Sequence, residues 1–218
     1  MKVLITAGST QVPIDRVRSI SNIFKGKTGK QIAQYFSDQG DDVTLITSSV
    51  DGVFLGDAAR IVYYRTYDEL MEAMKKEITS GEYDVVIHSA AVSDYRVAGT
   101  YIMKNGELSE LDSSGKVGSD HDEIFLRLVP TEKIIDLIRD PWGFKGVLVK
   151  FKLQVGVADG ELIEIAQKSA VHSNANMIVA NCLEWMNERA YIVDASGDFV
   201  PVIRKDLPQV LWEWIKIS

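Results

Sequence analysis

Cysteine, proline and net positive charge are all scarce in this sequence. Its 218 residues include 1 Cys and 5 Pro, and the formal net charge is −7. The single cysteine, Cys182, cannot form a disulfide within the chain, so nothing indicates a disulfide-stapled secreted scaffold. Because the net negative charge offers no general attraction to a phosphate backbone, nucleic acid is not an expected partner.

Long hydrophobic runs are missing as well. No run approaches the ~20 apolar residues of a membrane span. The opening segment, 1–8, is too short an apolar run for a signal peptide. Hydrophobic residues nevertheless make up 46% of the chain, which is enough for a sizeable core. We therefore expect a cytoplasmic α/β protein with no membrane partner.

Short apolar segments of strand length alternate with segments of helical periodicity. Continuous runs rich in β-branched residues suit a parallel sheet that is covered on both faces. The alternation predicts a doubly wound, mostly parallel, Rossmann-like sheet with helices on both faces, and no linker or repeat divides the single domain expected over 1–218. The predicted strands are 2–6, 42–47, 84–89, 146–151 and 176–180, and the predicted helices are 29–39, 66–78, 159–172 and 206–217.

Two segments break this alternation. Residues 97–118 are polar and rich in Gly and Ser, which predicts either a mobile loop or an excursion of short strands. Residues 191–202 form a predicted late β-hairpin, with a turn at 195–198. This hairpin would either contact a second copy of the chain or cap the edge of the sheet.

Several common catalytic signatures are absent. The chain continues after its first strand as Gly8-Ser9-Thr10-Gln11, which lacks the G-x-G-x-x-G fingerprint of dinucleotide-binding proteins. No serine lies in a G-x-S-x-G elbow. No metal site is predicted, because the three histidines have no metal-ligand spacing with Cys182. These histidines are His88, His121 and His172.

Two polar segments follow predicted strands, at the sheet edge where ligands of α/β proteins bind. The first, 7–29, is long for a connector and ends in Gly26-Lys27-Thr28-Gly29 before a helix. Glycines allow a close backbone approach, and free N–H groups at a helix start bind anions, so this segment predicts a phosphate-bearing ligand. A surface loop with solvated charges is the alternative.

The second polar segment is 89–96. Its small residues, Ala90 and Ala91, leave room for a flat ligand, although tight strand packing explains them equally well. Asp94 offers a carboxylate that accepts hydrogen bonds from a ribose or an exocyclic amine.

Four motifs follow one another in order along most of the chain. The first comprises 5–10, 13–18, 20–22 and 26–29, and the others are 90–96 (AAVSDYR), 149–153 (VKFKL) and 178–181 (IVAN). Together they resemble phosphopantothenoylcysteine synthetase, also called phosphopantothenate–cysteine ligase. Members of this family are often fused to a flavin-dependent decarboxylase, which this sequence lacks, so the resemblance implies a free-standing ligase without flavin.

The resemblance implies a two-step ligation in coenzyme A biosynthesis. The carboxylate of 4′-phosphopantothenate attacks a nucleoside triphosphate, and the amine of cysteine then replaces the nucleotide. The triphosphate is expected as its Mg²⁺ complex. Both CTP and ATP remain open, with CTP favoured, and a homodimer is implied. The alternative is a nucleotide-binding regulatory protein without catalysis, because several loop residues of the family are substituted here.

The resemblance also implies roles for individual residues. Asn22 matches the catalytic asparagine, whose amide holds the acyl oxygen of the intermediate. Lys116 matches a catalytic lysine on a flexible loop that covers the triphosphate. The matched nucleotide-binding residues are Gly8, Ser9, Ala90, Ala91, Asp94 and Phe151, and the matched substrate-binding residues are Asp15, Arg18, Ser21, Gly26, Lys27 and Gly29.

Overall fold

The computed structural model describes residues 1–49, 51 and 59–217. The strands are β1 (Lys2–Ala7), β2 (Gln11–Pro13), β3 (Ser19–Ser21), β4 (Asp42–Thr47), β5 (Arg60–Tyr63), β6 (Val85–His88), β7 (Tyr95–Lys104), β8 (Glu107–Leu111), β9 (Phe125–Pro130), β10 (Val147–Gln154), β11 (Met177–Cys182), β12 (Arg189–Asp194) and β13 (Phe199–Ile203). The helices are α1 (Lys27–Asp38), α2 (Tyr67–Ser80), α3 (Ile134–Leu137), α4 (Asp159–Ser173) and α5 (Leu207–Ile217).

The central sheet has eight strands in the order β13-β12-β11-β10-β6-β1-β4-β5. The ladders from β5 across to β11 are parallel, and those of β12 and β13 are antiparallel. From β1 the chain moves outward to β4 and β5, and it then crosses back to place β6 on the other side of β1. This reversal opens a crevice at the carboxyl ends of β1 and β6, where α/β proteins bind ligands.

The two faces of the sheet bury separate hydrophobic layers. Successive strand residues alternate between the faces, so Ile5 packs in the layer of Phe36 from α1, whereas Leu4 packs in the layer of Leu70 from α2. Helix α5 joins the first layer and α4 joins the second. The prediction of a doubly wound, mostly parallel sheet with helices on both faces is confirmed.

Local sequence explains where the long helices begin and end. A capping box starts α2, because the Thr66 hydroxyl accepts a hydrogen bond from the Glu69 N–H and the Glu69 carboxylate accepts one from the Thr66 N–H. Helix α1 ends before Gly40, which has a positive φ of 81°. Helix α4 ends at Asn174, which adopts the left-handed conformation that closes the last turn.

Most predicted elements are present, with small shifts in their ends. The late hairpin is β12–β13, and the Asp194 carboxylate accepts N–H groups of its turn. Of the two alternatives for 97–118, the structure has strands, because β7 and β8 pair and β9 completes a three-stranded antiparallel sheet. The predicted domain over 1–218 also includes 50, 52–58 and 218, which lie outside the described residues.

Five strands and helices among the described residues were not predicted. Of these, β2, β3, β5 and α3 have three or four residues each, so their apolar periodicity is too brief to interpret, whereas β9 has six residues and is mostly exposed. Within the described ranges, no helix is long and apolar enough to cross a bilayer.

Candidate functional site

Backbone hydrogen bonds join the two predicted ligand-binding segments at the carboxyl ends of β1 and β6. The Ala91 N–H donates to the Gly8 carbonyl over 2.8 Å, and the Thr10 N–H donates to the Ala91 carbonyl over 3.3 Å. The Ser93 N–H donates to the Thr10 hydroxyl over 2.9 Å. We call this junction the β1–β6 seam, and it brings together two motifs that lie about eighty residues apart.

Asn22 lies beside this seam with an exposed side chain. Its Nδ2 donates to the carbonyl of Ala91 over 3.2 Å, and its own carbonyl accepts a hydrogen bond from the Ser9 hydroxyl. The structure therefore brings the predicted catalytic amide to the predicted nucleotide-binding residues. Ser21, the preceding residue, is also exposed and pairs with Gln11.

Glycines allow the start of α1 to pack against the seam. Gly26 has a φ of 75°, and a Cβ placed on it would meet the backbone of Gly8. A Cβ on Gly29 would meet the Ser89 hydroxyl and the Ala7 side chain. Backbone therefore packs on backbone here, and the free N–H groups of the first helical turn lie next to the crevice. This arrangement suits an anion.

The cavity beside the start of α1 has a volume of about 590 Å³. We call it the α1 cavity. Its described lining includes four basic residues and no carboxylate, so its electrostatic character is that of an anion site. The lining also includes the predicted residues Gly8, Gly26, Lys27, Gly29, Ala90, Ala91 and Phe151, and the basic residues are Lys25, Lys27, Arg204 and Lys205.

Arg204 is a site residue that the sequence did not reveal. Its guanidinium contacts the Thr28 hydroxyl, which is 176 positions away in the chain. Its Nη1 is buried without a hydrogen-bond partner among the described residues, and burial lowers the pKa of Arg204. A buried guanidinium nitrogen without a partner is costly in the free protein, and a phosphate oxygen would satisfy it.

A second cavity, of about 500 Å³, lies between the ends of β6 and β10 and the helices α3 and α4. We call it the α4 cavity. Ala90 and Phe151 line both cavities, so the two meet at these residues. At the rim of the α4 cavity, the exposed Asp94 carboxylate pairs with Lys133 Nζ at 3.2 Å. An exposed ion pair of this kind contributes little stability and is readily opened by a ligand.

Asp15 and Arg18 line a third cavity, apart from the other two. The Asp15 carboxylate accepts hydrogen bonds from the Arg18 guanidinium and from the N–H groups of Arg18, Val17 and Val117. The Arg18 guanidinium and these N–H groups hold the pKa of Asp15 well below its usual range. Asp15 and Arg18, both predicted to bind substrate, therefore lie apart from Gly26 and Lys27, which line the α1 cavity.

Lys116 belongs to a segment that this carboxylate tethers. Its neighbour Gly115 accepts a hydrogen bond from the Arg16 N–H over 3.1 Å, and Val117 accepts one from the Arg18 guanidinium over 2.7 Å. Lys116 itself is exposed and lines neither the α1 cavity nor the α4 cavity. Its predicted contact with a triphosphate stays a prediction, and the structure places Lys116 apart from the other predicted nucleotide-binding residues.

No group of three or more His, Cys, Asp or Glu side chains in the described part of the chain is arranged to hold a metal ion.

Comparison with known proteins places this chain among close relatives. Residues 1–206 match the family model of the DNA/pantothenate metabolism flavoprotein C-terminal domain. The chain is 34% identical to the coenzyme A biosynthesis bifunctional protein CoaBC of Thermococcus kodakarensis, over 99% of this chain and 51% of that protein. It is 31% identical to CoaBC of Methanocaldococcus jannaschii, over 84% of this chain and 40% of that protein. The chain thus spans about half the length of the curated relatives it matches.

A solved structure is similar over the whole chain. It is the DNA/pantothenate metabolism flavoprotein of Streptococcus pneumoniae, with a TM-score of 0.87 and 30% identity. The match covers 100% of this chain and 99% of that one. The fold and its crevice are therefore shared with that protein.

The tether at Asp15 generates a first prediction. Asp15→Asn removes the carboxylate that accepts the Val117 N–H, so this amide should exchange its hydrogen faster in hydrogen-exchange measurements. The same measurement on Asp112→Asn is the control, because the hydrogen bonds that Asp112 accepts come from Ser114, two residues further along. Since the pKa of Asp15 is lowered, the tether is present at neutral pH and is lost only as the pH falls below the ordinary carboxyl range. Equal exchange at Val117 in the parent and in Asp15→Asn would contradict the tether.

Proposed function

We propose that this chain, which belongs to the DNA/pantothenate metabolism flavoprotein C-terminal domain family, is a phosphopantothenate–cysteine ligase of coenzyme A biosynthesis. The observation that supports it most is the junction of two cavities at Ala90 and Phe151, one of them lined by four basic residues and no carboxylate. A ligase that activates a phosphorylated acid with a nucleotide must hold two anionic substrates end to end, and this geometry suits that task.

The reaction proceeds in two balanced steps. A carboxylate oxygen of 4′-phosphopantothenate attacks the α-phosphorus of the triphosphate, and the bond to the β-phosphate breaks to release pyrophosphate. The amine of cysteine then attacks the activated carbonyl and the C–O bond to the nucleotide breaks, which releases the nucleoside monophosphate, while the amine nitrogen loses a proton to solvent as the amide forms. A free carboxylate is a poor acyl donor because its charge repels nucleophiles, and the nucleotide supplies the leaving group. The enzyme's contribution is to position the reactants and to stabilise negative charge.

The two cavities take different parts of the substrates. The base and ribose of the nucleotide occupy the α4 cavity, where Asp94 accepts hydrogen bonds from ribose hydroxyls and Phe151 packs against the base. The phosphates extend along the seam past Gly8, Ser9, Ala90 and Ala91. The phosphate of phosphopantothenate occupies the α1 cavity, held by Lys27, by the N–H groups between Gly26 and Gly29, and by Arg204.

Asn22 stabilises the reacting acyl group in this proposal. Its amide already contacts the seam through Ala91, so a modest rotation turns Nδ2 towards a carbonyl oxygen placed between the cavities. Lys116 reaches the triphosphate only after its segment separates from the β2–β3 turn, which contains Asp15 and Arg18. In this proposal, Asp15 and Arg18 act by holding the Lys116 segment until then. Closure of this kind excludes water from a mixed anhydride that hydrolyses readily.

The triphosphate enters as its Mg²⁺ complex, with the ion held by phosphate oxygens and water. CTP is the favoured nucleotide and ATP the alternative.

Pyrophosphate release tests the proposal. With 4′-phosphopantothenate and either CTP or ATP present together, pyrophosphate should appear, and cysteine should then release CMP or AMP. Reactions lacking phosphopantothenate are the control, since the acid is the nucleophile. Saturable nucleotide binding with no pyrophosphate from either triphosphate would reject the ligase and favour the regulatory alternative.

Substitution of Asn22 tests its assigned role. Asn22→Ala should lower kcat by roughly 10²- to 10³-fold, as the loss of one transition-state hydrogen-bond donor does elsewhere, with KM values little changed. Ile23→Ala is the matched control, because its side chain is the next in sequence and is 80% exposed. An Asn22→Ala enzyme with the parental kcat would remove Asn22 from the mechanism.

We also propose a homodimer. One face of the three-stranded sheet of β7, β8 and β9 exposes three large apolar side chains, whereas the late hairpin exposes two, and a second copy would cover this face. Sedimentation should give twice the mass of the chain, and Met103→Asp with Leu108→Asp should reduce it to a single copy. A monomeric parent would refute the dimer. The exposed side chains on this face are Met103, Leu108 and Phe125.

A further inference from the structure

A row of polar side chains crosses the floor of the α4 cavity on one face of the sheet. The strand registers place Thr6 of β1 beside His88 of β6, and His88 beside Lys150 of β10. Residues paired in this way share a face, which here is the face covered by α2, α3 and α4. Elsewhere that face is apolar, with Leu4, Val86 and Leu148 in the corresponding row, so the polar row is a local departure at the ligand-binding end.

His88 is a neutral hydrogen-bond donor at this floor. The Thr6 hydroxyl is fully buried and accepts a hydrogen bond from the Ala90 N–H, and His88 Nδ1, at 3.0 Å, is the one described acceptor for its own hydrogen. We therefore assign Thr6 as the donor to Nδ1. This assignment puts the imidazole proton on Nε2, which has no hydrogen-bond partner among the described residues. Burial and the neighbouring Lys150 ammonium lower the pKa of His88 to about 4, so the ring is neutral at pH 7.

Lys150 is a buried cation without an ion pair. Only 8% of the residue is exposed, it lines the cavity, and no described residue forms a hydrogen bond or salt bridge with its Nζ. Burial lowers the pKa of Lys150 to about 8, so at pH 7 most molecules carry the charge. Burial of most of the side chain disfavours the charged form, and the ammonium, which is not among the fully buried unpartnered atoms, is left to the cavity.

The charges around Lys150 do not supply an ion-pair partner. From α3, Asp136 contacts His172 of α4 through Oδ2 at 3.6 Å, and its Oδ1 is buried without a hydrogen-bond partner. This carboxylate raises the pKa of Lys150 but forms no hydrogen bond or ion pair with Nζ among the described residues. The other charged groups of the lining are the exposed Glu132, Lys152 on the same strand, Lys133 paired with Asp94, and Lys168 paired with Glu164. Lys150 and His88 therefore line one cavity, and no described side chain is bonded to Lys150 Nζ or His88 Nε2.

We propose that His88 and Lys150 form an oxyanion-binding subsite at the floor of the α4 cavity, which takes a phosphate or carboxylate group of one of the substrates. The identity of those substrates rests on the proposed function, whereas the subsite itself rests on the two buried donors. Both side chains are fixed by adjacent strands of the sheet, which makes the pair a rigid receptor for one anionic group.

Direct binding measurements on the full chain test this subsite separately from catalysis. CTP, ATP, 4′-phosphopantothenate and cysteine are titrated one at a time in a calorimeter. For the probe whose anionic group reaches the floor, Lys150→Met should weaken binding by about 10- to 100-fold, as expected when a hydrogen bond to a charged group is lost. Lys150→Arg keeps the charge and should restore most of the affinity. The probe that responds identifies the source of the anion.

The pH dependence of binding gives a second readout. The Lys150 ammonium is charged below its pKa of about 8, so in the parent the affinity for the responding probe should fall as the pH rises from 7 to 9. This fall should be absent in Lys150→Met, which has no charge to lose, and in Lys150→Arg, which stays charged. The groups that face Lys150, including Asp136 and His172, are unchanged in both variants and so cancel in the comparison.

Controls separate a binding subsite from a structural role. Lys75→Met removes an exposed lysine on α2 and should leave every affinity unchanged. Lys150→Met should melt at the parental temperature or above it, because it removes a buried charge that lacks a partner. Unchanged affinities for all four probes, equal losses in Lys75→Met, or a markedly less stable Lys150→Met protein would each overturn the subsite. A chain that binds through Lys150 but releases no pyrophosphate would refute the ligase and leave the subsite in place.

Discussion

The hydrogen bonds between the ends of β1 and β6 determine the geometry of everything around them. Gly8, Thr10 and Ala91 exchange backbone hydrogen bonds across the seam, and the Thr6 hydroxyl carries the contact further to the Ala90 N–H. Because these groups bond to each other, both loops leave the sheet in fixed directions. The start of α1 is held on one side and the floor of the α4 cavity on the other, so two cavities share one boundary.

Charge is distributed unequally between those cavities, and the inequality matches the chemistry proposed for them. The α1 cavity brings together basic side chains from distant parts of the chain, and its described lining contains no carboxylate. A phosphate bound there would be attracted by these cations and would meet no negatively charged side chain. The α4 cavity mixes acidic and basic groups, as a site must when it recognises a sugar as well as a charge. A net charge of −7 over the whole chain conceals this local concentration of positive charge.

The sequence predicted what is local and missed what topology assembles. The long strands and helices follow from apolar periodicity, and the resemblance carried by four segments is confirmed by the family match over residues 1–206. Gly26, Lys27 and Phe151 were predicted because each lies in a segment that carries the resemblance. Arg204 was missed because nothing adjacent to it signals a site. Lys150 lies in the segment 149–153, but the sequence does not show that it shares a sheet face with His88. Their roles arise only when β10 lies beside β6 and the turn after β13 reaches Thr28.

Arg204 and Lys150 would link the folding of this protein to the anions proposed to bind it. The buried Nη1 of Arg204 has no partner among the described residues, which raises the free energy of the empty protein, and a phosphate bound there would remove that cost. Lys150 is mostly buried and has no ion pair, so the same argument applies to it in smaller measure. Apolar residues at both positions would be compatible with folding, but they would remove the fixed charges proposed to receive two anions. The polar groups at the ends of these strands are therefore best explained by the ligands that complete them.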